Sequence, residues 1–285
     1  MNFPPQIYFL GAQKAGTTSL VAYLTSHPSL CVSEPKEPHY FTNNWHRGIE
    51  WYQSQFAHAK PNEILIDAST SYTMARLGED YLLDSSNPYF NLANRINSLS
   101  KSPKFIYMLR DPVQRTYSAY WHRVRAGEEE RSFQQAVIDC LDEKNFYVRP
   151  SLYAEQLKLF LKVFPIEDFN LLLFENFIKT PDLVINQICD FIGIEFVKLP
   201  EKKTKNASYN YSNFGKFLQI AWVNRLVKVL IKYLPEIIKN IGKRLVTKPI
   251  PSLSEKDRKI LQQFYAPYNN DLATLTGINL SLWKY

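Results

Sequence analysis

Residues 7–20, Ile7-Tyr8-Phe9-Leu10-Gly11-Ala12-Gln13-Lys14-Ala15-Gly16-Thr17-Thr18-Ser19-Leu20, read as a short apolar strand, a loop with two glycines and one lysine, and the start of an apolar-periodic helix. That order makes an anion site. The first N–H groups of a helix have no intrahelical partner, and the helix dipole adds positive potential at that end. Gly11 and Gly16 let the backbone pass close to a ligand, and successive N–H groups in such a loop form a concave cradle. A chain that opens this way is committed to an α/β fold with a phosphate-like ligand at the end of its first strand.

A nucleoside triphosphatase is the first alternative, and one residue argues against it. The Walker pattern places Lys after the second glycine. Here Gly11 and Gly16 have that spacing, but Thr17 occupies the lysine position and the lysine is Lys14, inside the loop. A P-loop nucleotide kinase or other phosphotransferase therefore stands as the competing reading. It also lacks a clear acidic pair for Mg²⁺ after a strand, and Asp67 is the one residue that keeps it open.

A second motif lies at Lys104-Phe105-Ile106-Tyr107-Met108-Leu109, a buried-strand pattern, followed by Arg110-Asp111-Pro112 and a helix from about Val113. Arg110 at a strand end can grip an anionic group through its rigid guanidinium fork, and Ser118 can bring a hydroxyl to the same group two helical turns later. The two motifs together resemble the sulfotransferases that use 3′-phosphoadenosine 5′-phosphosulfate (PAPS), closest to the heparan-sulfate-type and bacterial sulfotransferase domains. Three further segments extend the resemblance: Lys36-Glu37-Pro38-His39-Tyr40-Phe41 with Gly48-Ile49-Glu50-Trp51-Tyr52, then Ile66-Asp67-Ala68-Ser69-Thr70-Ser71-Tyr72, then Tyr153 to Glu175. It runs from about Gln6 to Pro181 and resumes from Ser254 to Trp283.

The resemblance implies a P-loop-like three-layer α/β fold, a central parallel sheet flanked by helices. It implies PAPS as donor, adenosine 3′,5′-bisphosphate (PAP) as product, and no metal. Lys14, Ala15, Gly16, Thr17, Thr18 and Ser19 are then the 5′-phosphosulfate loop, with Ser19 alternatively a helix cap, and Arg110 and Ser118 hold the 3′-phosphate. Lys14 is the candidate for neutralising the leaving group. Glu37 stands where heparan-sulfate-type enzymes have a catalytic glutamate. His39 is the rival base, because imidazole serves that role in the cytosolic small-molecule enzymes. A basic loop expected late in the chain is matched only by Lys202-Lys203-Thr204-Lys205-Asn206, with no glycine after it. The acceptor is a hydroxyl or amine of a glycan, a lipid or a small metabolite.

Composition fits such an enzyme. The chain has 285 residues, enough for one domain with a substantial core, and a formal charge of +7 that favours an anionic ligand. No zinc-finger or RNA-binding pattern is present, which argues against nucleic acid. Cys31, Cys140 and Cys189 are few and widely spaced, a pattern of reduced thiols. The first strand begins almost at residue 1, and no apolar run reaches the ~20 residues of a membrane span. The expectation is a cytoplasmic protein, in which Asn206-Ala207-Ser208 and Asn210-Tyr211-Ser212 are plain loop residues.

Strands are predicted near 6–10, 64–67, 104–109 and 169–173, with ligand-binding loops at their carboxyl ends. Residues 212–250 match the family poorly and carry apolar residues at helical spacing with interspersed lysines and arginines. This reads as a basic amphipathic insert that forms a lid or acceptor-cleft wall, with peripheral membrane contact as the competing reading. Arg115 is expected on the helix surface or in an ion pair with Asp111 or a glutamate. Tyr117, Tyr120 and Trp121 are expected in the core, and His27 and His122 in structural positions.

Overall fold

In the computed structural model the described residues are 2–77, 79–198, 209–211 and 247–283. In chain order the elements are β1 (Ile7–Gly11), α1 (Thr17–Leu24), β2 (Leu30–Val32), α2 (Gly48–Ser54), β3 (Ile64–Asp67), α3 (Glu79–Leu83), α4 (Leu92–Leu99), β4 (Lys104–Leu109), α5 (Pro112–Ala126), α6 (Tyr153–Leu161), β5 (Phe169–Leu173), α7 (Phe174–Lys179), α8 (Pro181–Ile192), β6 (Tyr209–Tyr211), β7 (Thr247–Pro249) and α9 (Glu255–Thr276).

The first five strands form one parallel sheet in the order β2-β3-β1-β4-β5. Their sequences are almost continuously apolar, as expected of strands covered by helices on both faces. Ile7, Tyr8, Phe9, Leu65, Ile66 and Phe105 to Leu109 are buried accordingly. The four strands predicted from sequence are all present. The edge strand β2 was not signalled, because three residues are too short to show a period.

Register brings the carboxyl ends together. Tyr8 pairs with Asp67, Gly11 with Tyr107 and Leu109 with Leu173, with an irregularity in β1 between Phe9 and Gly11. From β1 the chain first builds β2 and β3 on one side, then returns to lay β4 on the other. The loops after β1 and β4 therefore diverge from a topological switch point, where open parallel sheets place their ligands.

Local chemistry sets the helix that follows β4. Asp111 caps α5 by accepting the Val113 N–H at 2.9 Å, and Pro112 fills the first position, where its missing N–H costs nothing. A second apolar cluster joins α5 to α9 through Val113, Tyr120, Leu261 and Tyr265. α9 is capped by Ser254, whose Oγ accepts the Asp257 N–H at 3.1 Å, and it ends at Gly277 in the left-handed conformation, as its sequence predicts.

Tyr117, Tyr120 and Trp121 pack edge-on with one another and with Phe133, in line with a core role. In the Lys248–Ser252 segment β7 pairs antiparallel with β6, and the Pro251 carbonyl accepts the Tyr117 hydroxyl at 2.7 Å. The lysines 202–205, residue 206 and most of the 212–250 insert lie outside the described residues.

Candidate active site

The loop after β1 has an unusual backbone. Gly11 has φ +125°, Lys14 +71° and Gly16 +83°. A Cβ on Gly16 would sit 2.6 Å from the Phe174 ring, so glycine is required both by conformation and by space. Gly16 is also the residue that caps α1, and no side chain does so, which removes the capping role for Ser19. Ala15 and Thr17 are buried, Ser19 is half-buried and Thr18 is exposed at the mouth of the loop.

Two arginines from the β4–α5 segment fasten this loop. The Arg110 guanidinium donates from Nη1 to the Lys14 carbonyl at 2.9 Å and lies over the Phe174 ring, 4.8 Å from its centroid. Arg115 is fully buried, contrary to the surface or ion-pair position expected for it. It donates to the Ser151 hydroxyl, the Tyr147 carbonyl and, at 3.4 Å, the Gln13 carbonyl. A single helical period in sequence does not separate a surface arginine from a buried one. The only signal was its place one turn after the Asp111 cap, on the side facing the β1 loop.

These cations converge on Lys14. Burial, followed by the charges of Arg125, Arg110 and Arg115, lowers the Lys14 ammonium to about 8. Among the described residues no carboxylate forms an ion pair with Lys14, Arg110 or Arg115. Glu175 and Asp111 offset the Arg110 charge without forming an ion pair with it, so the cluster keeps an excess of positive charge, and an anionic ligand relieves its cost.

Ser118 is not joined to this group: no hydrogen bond links it to Arg110 or the β1 loop. It lies half-buried in a cleft with Gln114, Tyr117, Trp121, Leu253 and Arg258. His122 and Arg125 follow Ser118 on the same helix face, by spacings of four and three, and contact each other at 3.2 Å between Arg125 Nη2 and His122 Nδ1. His122 lies on the surface rather than in the core, and partial desolvation there, with the Lys14 and Arg125 charges, lowers its pKa. His27, by contrast, is buried and bonded to the Glu195 carbonyl at 2.9 Å, as a structural histidine should be.

On the other side of the sheet end, the Ser69-Thr70-Ser71 run after β3 holds the two candidate bases. Glu37 Oε2 accepts the Thr70 hydroxyl at 2.7 Å and its N–H at 3.2 Å, while Oε1 accepts Lys36 Nζ at 2.9 Å. His39 Nδ1 lies 2.8 Å from Ser71 Oγ, and its Nε2 is 3.8 Å from Glu37 Oε2. Burial pushes the Glu37 carboxyl up, but the Lys36 charge and the bonds from Lys36 and Thr70 outweigh it and hold the group below its usual range. Glu37 is therefore ionised at neutral pH, the state a proton acceptor needs.

Asp67, the residue that kept a Mg²⁺-dependent phosphotransferase open, is completely buried. Its Oδ2 accepts the Tyr52 and Tyr72 hydroxyls at 2.7 and 2.6 Å, and Oδ1 accepts the Ser69 hydroxyl at 2.6 Å. Both oxygens are occupied by protein donors, so the carboxylate does not face a nucleotide.

Comparison with known proteins gives the family and the fold. Heparan sulfate glucosamine 3-O-sulfotransferase 3B1 of Homo sapiens is 23% identical over 278 residues, covering 96% of this chain and 63% of its own length. Heparan sulfate glucosamine 3-O-sulfotransferase 5 of Mus musculus is 26% identical over 288 residues, covering 97% and 73%. The chain thus spans less than two thirds of the first of these relatives. The crystal structure of a sulfotransferase from Alicyclobacillus acidocaldarius superposes with a TM-score of 0.70 at 23% identity, covering 99% of both chains, and so shares the fold. The family model for the sulfotransferase domain matches residues 4–272, which include the β1 loop, the Glu37 segment and the β4–α5 motif, and the chain belongs to that family.

Proposed function

We propose that this protein transfers a sulfonate group from PAPS to a hydroxyl or amine acceptor, in line and without a metal. The observation that carries the reading is the convergence of Lys14, Arg110 and Arg115 on the β1 loop, where no carboxylate among the described residues forms an ion pair with them. In this reading the loop N–H groups and Thr17, Thr18 and Ser19 hold the 5′-phosphosulfate. Arg110, with further N–H groups beyond the one given to Lys14, and Ser118 hold the 3′-phosphate, the two side chains meeting only through the bound nucleotide.

Transfer forms a bond from the acceptor oxygen or nitrogen to sulfur and breaks the bond from sulfur to the 5′-phosphate oxygen. By analogy with phosphoryl transfer, positioning and charge stabilisation dominate. Lys14 neutralises the leaving oxygen, and Glu37 takes the acceptor proton. Glu37 is preferred over His39 because Thr70 and Lys36 fix its carboxylate in the ionised state, whereas His39 is held by Ser71 at its side. Glu37→Gln is expected to lower turnover about 10²–10⁴-fold with little change in PAP affinity. Unchanged turnover would instead make His39 the base.

The acceptor is proposed to be a glycan, with a lipid or small alcohol as the other members of the class. The glycan is supported by the names of the relatives. A single domain in the cytoplasm is part of the same proposal, and the three unpaired cysteines support a reducing location. Among the described residues no helix is long and apolar enough to cross a membrane.

Calorimetric titration with PAP, and in parallel with ATP and Mg²⁺, tests the donor. Metal-independent binding of PAP that is lost in Arg110→Ala is the expected result. Preferential binding of ATP with Mg²⁺ would return the loop to the phosphotransferases.

Lys14 adds a pH signature. Its pKa in the free protein is about 8, lowered from 10.5, and a bound anion raises it again. Between those two values the complex binds more protons than the free protein. PAP binding should therefore take up protons and weaken as pH rises through about 8. Titration at pH 8.5 in buffers of different ionisation enthalpy measures this uptake, and Lys14→Met should abolish it.

A further inference from the structure

Asp67 anchors a chain of contacts that ends on His39. A carboxylate only accepts, so the Ser69 hydroxyl proton, 2.6 Å from Asp67 Oδ1, must point at Asp67. That leaves the Ser69 oxygen as acceptor for its other neighbour, the His39 N–H, at 2.9 Å. The Ser69 N–H also donates to Asp67 Oδ1, at 3.0 Å, which fixes the backbone of the run.

His39 needs this support. Its φ is +50°, in the left-handed region that non-glycine residues rarely occupy. Conformations of this kind persist at functional sites when surrounding contacts over-determine them. Here the His39 carbonyl accepts the Thr42 and Asn44 N–H groups at 3.3 and 3.1 Å, and its N–H is held by Ser69. The next two hydroxyls of the run reach the bases directly, Thr70 to Glu37 and Ser71 to His39 Nδ1.

We infer that Asp67 is a positioning residue for acceptor activation, acting through Ser69 on the His39 backbone to set His39 against Glu37. The inference rests on the reading of Glu37 and His39 as the acceptor side of the site. Asp67 has two arms, joined only where the Tyr72 hydroxyl also meets the Ser69 side chain, so Tyr52 is the partner remote from Ser69. Oδ1 serves Ser69 and the route to His39, and Oδ2 serves only the Tyr52 and Tyr72 hydroxyls within the core.

The test cuts the arms separately. Ser69→Ala removes the route to His39, while Tyr52→Phe and Tyr72→Phe remove core bonds to the same carboxylate. For each variant we would measure Tm, the calorimetric Kd for PAP, turnover of PAPS with heparan sulfate, and the NMR signal of the ¹³C-labelled His39 imidazole. Ser69→Ala should shift the His39 signal, lower turnover roughly 10- to 100-fold and leave PAP affinity within about twofold. The tyrosine variants should lower Tm at least as much, yet keep the His39 signal and turnover within about threefold.

An unshifted His39 signal in Ser69→Ala would overturn the inference, as would turnover that falls in step with Tm across all three variants. The His39 signal requires no acceptor, so it decides the matter even where heparan sulfate is not turned over. Full turnover in Glu37→Gln would count against Glu37 as base, while the His39 signal would still decide the part played by Asp67.

Discussion

Lys14→Met should lower turnover of PAPS by about 10²–10³-fold while weakening ground-state binding of PAPS far less. A preorganised donor aimed at charge that develops in the transition state is typically worth that much. Lys14 is preorganised by its backbone. It sits at φ +71°, its carbonyl is held by Arg110 at 2.9 Å, and the following Ala15 N–H bonds back to the Ala12 carbonyl at 3.0 Å. Its ammonium is also raised in free energy by burial and three neighbouring guanidinium charges. That penalty is relieved most when the leaving oxygen gains its full charge, so the gain is larger in the transition state than in the ground state. Turnover and the Kd of PAPS measured without acceptor separate the two effects. A variant that loses PAPS affinity and turnover equally would show Lys14 to be a binding residue only.

Arg115→Met should cost about 3 kcal/mol of stability, the second large effect. The guanidinium is fully buried and donates to the Tyr147 carbonyl, the Ser151 hydroxyl and the Gln13 carbonyl. Methionine fills part of the volume but removes the guanidinium donor from these acceptors, of which the Tyr147 carbonyl and the Ser151 hydroxyl keep Thr116 Oγ1 at 3.3 Å; a lost buried bond costs about 1–3 kcal/mol. Removing a buried charge that has no carboxylate partner returns some of this through reduced repulsion with Lys14 and Arg110, which is why the smaller total is expected. For a chain of this size the loss corresponds to a Tm decrease of roughly 6–12 °C, read by thermal scans at a fixed rate. Saturating PAP should raise Tm less in the variant than in the parent, because the loop that receives the ligand has lost its contact at Gln13. An unchanged Tm would mean that these contacts contribute little to the fold.

Much of the site was legible along the chain because its chemistry is local. The β1 loop requires glycine at two positions, a strand before it and a helix after it, all within fourteen residues. The β4–α5 motif is equally compact: an apolar strand, Arg110, an Asp111 cap and Pro112. Glu37 and His39 were also identifiable, though through family resemblance rather than from any period in their surroundings.

What was missed depends on distant partners. Arg115 reads as a surface residue until Tyr147 and Ser151, more than thirty positions away, close over it. His122 reads as a packing residue until the tertiary fold turns its helix face toward Lys14. Asp67 reads as a possible metal ligand until Tyr52 and Tyr72 are seen to occupy it.

The sequence by itself determined the parallel α/β architecture and the glycine-bearing loop that joins β1 to α1, because backbone conformation and apolar period depend on near neighbours. The tertiary structure alone decided which charges are buried together, which carboxylate is available to a substrate and which is spent on the core. Burial and hydrogen-bond partnership are properties of residues brought together across the sheet, and nothing in a linear pattern records them.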